Sequence, residues 1–116
     1  MIRVALQHDR SGCLRRLEME GHAGGAPAGA NTVCAAASAL ARTAARVLDA
    51  ASGIELAGTA DDEGRLEVQV TSYEREVANY LKGVSDFLLV GLRDLEREYP
   101  DEVGVLVGEP VGTEGE

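Results

Sequence analysis

Residues 20–40 read EGHAGGAPAGANTVCAAASAL, and within them the chain changes from the two-residue period of a strand to the 3.6-residue period of a helix. Between His22 and Cys34 stand mostly glycine, alanine and proline, which offer no apolar periodicity to bury. From residue 32 the pattern changes. Val33, Ala37, Leu40, Ala44, Val47 and Leu48 recur at helical spacing in an alanine-rich background, and alanine is the strongest helix former. The spacing predicts a helix over 32–51. Ser52-Gly53 stops it, with Gly53 suited to the left-handed conformation that closes a helix.

Working outward, Ile2, Val4 and Leu6 alternate through residues 1–7 as a half-buried strand requires. HDRSG at 8–12 is turn chemistry, and 13–20 returns as a second strand with Leu14, Leu17 and Met19, whose alternation is imperfect. Residues 54–59 and 65–71 form a hairpin around DDEG, with Leu66, Val68 and Val70 on one face. A second helix over 73–98 carries Val77, Leu81, Val84, Leu88, Leu92 and Leu95, with Ser72 as its cap and Glu74 and Glu76 near its positive end. Pro100 ends it, and Val103, Val105 and Val107 make a last strand. The order β-β-α-β-β-α-β predicts an α/β chain of the α+β type, a mixed sheet with two main helices packed on it. One domain over 1–108 and a flexible acidic tail over 109–116 complete the expected organisation.

Composition narrows the function. The formal net charge is −9, from 20 acidic and 11 basic side chains. That balance opposes direct nucleic-acid binding, which needs Lys and Arg against phosphates, and suits a basic protein partner. No apolar run approaches the ~20 residues that span a bilayer, and the N-terminus lacks the apolar core of a secretory signal. Cys13 and Cys34 are too few for a disulfide framework, so the expected setting is cytoplasmic with reduced thiols. Aromatic residues make up only 3%, so the core is thin and dimerisation would add stability.

Chemistry concentrates in the opening stretch. With Asn31 as N-cap, Cys34 falls in the first helical turn, where free N–H groups and the dipole favour a thiolate and can also hold an oxyanion. A thiolate nucleophile needs an acid for the leaving amine, and His22 can turn back to it across the glycine-rich loop, which would act as a lid. The competing reading is a Cys packed as a small hydrophobe and a His of no special role. The loop lacks the Lys-Ser/Thr ending of a phosphate-binding loop. His8, Cys13, His22 and Cys34 show no metal-ligand spacing, so no metal or cofactor is expected.

The words GHA at 21–23, Gly29 and VCAAASAL at 33–40 resemble the ribosomal-processing cysteine protease family, Prp. The resemblance implies a small dimeric α/β protein that removes an N-terminal extension from large-subunit ribosomal protein L-twenty-seven, a basic precursor. It implies Cys34 as nucleophile and His22 as base and later acid, with Ser38 at a family position one turn on. Asn31 stands where the family usually has an acidic residue, and could orient His22. Thr32 replaces a usual hydrophobic residue and Ala28 a usual aromatic. The alternative is a non-catalytic ribosome-assembly module of the same fold. A redox role ranks last, since Cys13 and Cys34 lack CxxC spacing.

Overall fold

The computed structural model describes residues 1–21, 28–60 and 65–112. Seven main elements follow the expected order: β1 (Ile2–His8), β2 (Leu14–Glu20), α1 (Ala28–Ala50), β3 (Ile54–Ala60), β4 (Leu66–Tyr73), α2 (Ala78–Glu98) and β5 (Val103–Val107). The strands form one sheet in the order β3-β4-β2-β1-β5. Every pairing is antiparallel except β1 with β5, so the sheet is mixed.

Alternation dictates the layering. Ile2, Val4 and Leu6 of β1, Leu17 and Met19 of β2, and Leu66, Val68 and Val70 of β4 share the buried face. Against them pack Ala37, Ala41, Ala44 and Leu48 of α1 and Leu81, Leu88 and Leu92 of α2. The opposite face carries Arg3, Arg16, Glu18, Glu67 and Gln69, with Arg16 paired to Glu18 and Glu67. Both helices therefore lie on one side of the sheet, and the charged side is open.

Two bulges explain what simple alternation misses. The β1–β2 register runs Gln7↔Arg16 and then His8↔Leu14, leaving Arg15 unopposed. That extra residue lets Leu14 and Leu17 both face inward although three positions apart. On the other hairpin, Thr71 is the extra residue between Glu55↔Ser72 and Leu56↔Val70. The two irregularities meet: Arg15 donates from Nε to the Val70 carbonyl (3.0 Å) and from Nη2 to the Thr71 carbonyl (3.2 Å).

Both helix starts differ from the sequence expectation. α1 begins at Ala28, four residues before 32, because Ala28 and Ala30 are strong helix formers directly after Pro27, a residue favoured at helix starts. α2 begins at Ala78 after a short 3₁₀ turn, Arg75–Val77, and not at 73. Tyr73 instead ends β4, pairing with Ile54, so Ser72 lies in a strand and caps nothing. Gly53 behaves as expected, with φ +87° just past α1. After β5, the first residues of the acidic tail are tethered beside β1: Val111 N–H donates to the His8 carbonyl (2.9 Å) and Arg10 N–H to the Val111 carbonyl (3.1 Å). The DDEG turn at 61–64 lies outside the described residues.

Candidate active site

Cys34 sits on α1 six residues after Ala28, in the second turn of the helix. Its side chain is half-buried and packs against the edge of the core. Ser38, one turn on, is also half-buried. Asn31 falls within the first turn and not at the cap. Because α1 starts early, the N–H groups without helical partners at its start belong to residues 28–30. The dipole effect is strongest in that first turn, and Cys34 stands one turn further on. His22 and the glycine-rich loop through Pro27, expected as a lid, lie outside the described residues, as does the Asn31 side chain.

A short segment joins β2 to α1. β2 ends at Glu20, and α1 begins eight residues later. Gly21 makes the exit from β2 with φ +88°, and a Cβ there would come within 2.5 Å of the Met1 carbonyl oxygen. The chain therefore leaves β2 hard against the start of β1 through a residue that only glycine fits. The next residue is His22.

The two cysteines occupy different environments. Cys13 is fully buried, and its thiol donates to the Ala78 carbonyl at 3.5 Å. Burial pushes its pKa up, which keeps it a protonated, packed thiol. Cys34 is partly accessible on the flank of a helix. Among the described residues, no group of three or more His, Cys, Asp and Glu side chains could hold a metal ion. No helix among them is long and apolar enough to cross a membrane.

Around Cys13 lies a polar cluster that periodicity does not reveal. The Asp9 carboxylate is buried and accepts from the backbone N–H groups of Ser11 (2.9 Å) and Cys13 (3.1 Å). Tyr73 donates its hydroxyl to the other carboxylate oxygen at 2.5 Å, and Arg15 approaches that oxygen at 3.9 Å. Arg15 also lies 5.8 Å from the Tyr73 ring centroid, in cation–π range. Burial, then the bond to Asp9, raises the Tyr73 pKa far beyond its ordinary range. Beside it, Leu14 N–H donates to Ser85 Oγ (2.8 Å), which donates to the Leu81 carbonyl (2.7 Å). These groups tie the β1–β2 turn to β4 and α2. The signal available in sequence was an Asp two residues before Ser11, the spacing of an Asx turn.

The family model for cysteine protease Prp matches residues 1–104. No curated protein matches the chain. Among solved structures, the fold is similar to that of the essential ribosomal processing protease Prp from S. aureus in complex with a substrate peptide. The TM-score is 0.77 at 21% identity, over 93% of this chain and 100% of that one. It is also similar to SMU.848 from Streptococcus mutans, with TM-score 0.76 and 24% identity over 92% and 93% of the two chains. A hypothetical protein from Staphylococcus aureus follows at TM-score 0.67 and 16% identity, over 93% and 100%. At these identities the solved structures speak for the five-stranded, two-helix fold. With the family model spanning nearly the whole sequence, the chain belongs to the Prp family of cysteine proteases.

Proposed function

We propose that this protein is a cysteine endopeptidase that removes the N-terminal extension of ribosomal protein L-twenty-seven in the cytoplasm during ribosome maturation. Cys34 is the nucleophile. Its sulfur attacks the scissile carbonyl, forming a C–S bond as the carbonyl becomes a tetrahedral oxyanion. His22 takes the thiol proton and returns it to the leaving amine, which breaks the C–N bond. Water, activated by the same imidazole, then hydrolyses the thioester. Asn31 would orient His22, and Ser38 supports the helix beside the sulfur.

The observation that carries this reading is the contrast between the cysteines in a chain of this family. Cys13 is sealed and bonded to Ala78, whereas Cys34 is accessible on the helix that follows the His-containing loop. A net charge of −9 suits a basic ribosomal protein as substrate. Cys34→Ala and His22→Ala are expected to abolish cleavage, and Cys13→Ala to retain it. Cleavage by Cys34→Ala would overturn the assignment. An inert wild-type protein whose Cys34 alkylates only as an ordinary thiol would favour the non-catalytic assembly module instead.

We infer further that the protein works as a homodimer through the outer face of its helices. Phe87 is 73% exposed and Val90 60%, both on α2. Between α1 and α2 runs a groove of about 890 Å³ lined by Leu40 and Val47 on one side and Val84, Phe87 and Leu95 on the other. Isolated exposed apolar residues are ordinary, but a contiguous apolar groove beside an exposed Phe fits a two-fold interface in which each copy offers the same patch. Light scattering on Phe87→Glu, expected to be monomeric and folded, tests it.

A further inference from the structure

We draw no further inference here: the strongest candidate, the polar pocket of about 410 Å³ on the open face of the sheet between Arg15, Arg16, Gln69 and the chain at Val111 and Gly112, carries nothing, because its two cations are already held, Arg15 by Asp9 and the Val70 and Thr71 carbonyls and Arg16 by Glu18 and Glu67, and nothing in the structure shows what would fill it.

Discussion

Replacing Asp9 with alanine is the perturbation that most sharply tests how this fold is held. The carboxylate has no solvent exposure and accepts from Tyr73 Oη at 2.5 Å and from the N–H groups of Ser11 and Cys13 at 2.9 and 3.1 Å, with Arg15 at 3.9 Å. Alanine leaves one hydroxyl and two backbone donors without that acceptor and removes the carboxylate beside the half-buried Arg15, whose guanidinium keeps its bonds to the Val70 and Thr71 carbonyls. Breaking a buried charged network from one side costs about 3–5 kcal/mol. That is a large share of the ~5–15 kcal/mol by which small domains are stable. Tyr73→Phe removes a single bond to a charged group, worth about 1.5–3 kcal/mol. Because the two mutations share that bond, the double mutant should fall short of additivity by about 1–2 kcal/mol. Guanidinium unfolding of the four proteins, with m-values compared to verify a common unfolded state, measures all three quantities. A loss below about 1 kcal/mol for Asp9→Ala, or strict additivity, would refute the assignment of Asp9 as the hub of this end of the molecule.

Four further expectations concern ionisation, backbone and core. Burial lowers the pKa of His8 in the fold, partly offset by the charges of Asp86 and Asp9, with Lys82 adding to the lowering. The unfolded chain therefore binds the proton more readily, so stability should fall as pH drops below the ordinary histidine value near 6.5. His8→Gln should flatten that part of the profile in unfolding curves between neutral and mildly acid pH. Tyr73 shifts the other way, its folded pKa lying above the ordinary value of 10.0. Its contribution is full below that value and should be lost as pH rises past it. Ultraviolet titration should show a late tyrosine ionisation, and Tyr73→Phe should remove it. Gly53→Ala, at φ +87° and with a Cβ 2.9 Å from Glu74 Oε2, should cost about 1 kcal/mol in chemical unfolding. Leu88→Ala, removing a side chain 1% exposed between α2 and the sheet, should cost about 2–5 kcal/mol by the same assay.

Much of this architecture could be read from alternation and helical spacing alone. Ile2, Val4 and Leu6 announce β1, and Leu81, Leu88 and Leu92 announce the buried stripe of α2. Elements with one wet face carry their own signature, whereas the sheet order does not: pairing β2 with β4 and β1 with β5 is fixed by long-range packing. The bulge at Arg15 disguised β2, since one extra residue inverts the facing of everything beyond it. Helix starts were misplaced for local reasons. Alanines around Gly29 extend α1 backwards, and the bond from Tyr73 to Asp9 accompanies an extended chain where acidic residues suggested a helical turn. Cys34 and His22 emerged as candidates from the resemblance of their motif to the Prp family. Asp9 did not, because an acidic residue in a polar turn looks the same whether it is solvated or buried.

The most direct measurement is the intact mass of full-length ribosomal protein L-twenty-seven from the same organism after incubation with this protein, with the Cys34→Ala protein run in parallel. A discrete N-terminal loss that requires Cys34 is the expected result. An unchanged precursor mass with wild-type protein, or the same loss with Cys34→Ala, would contradict the account.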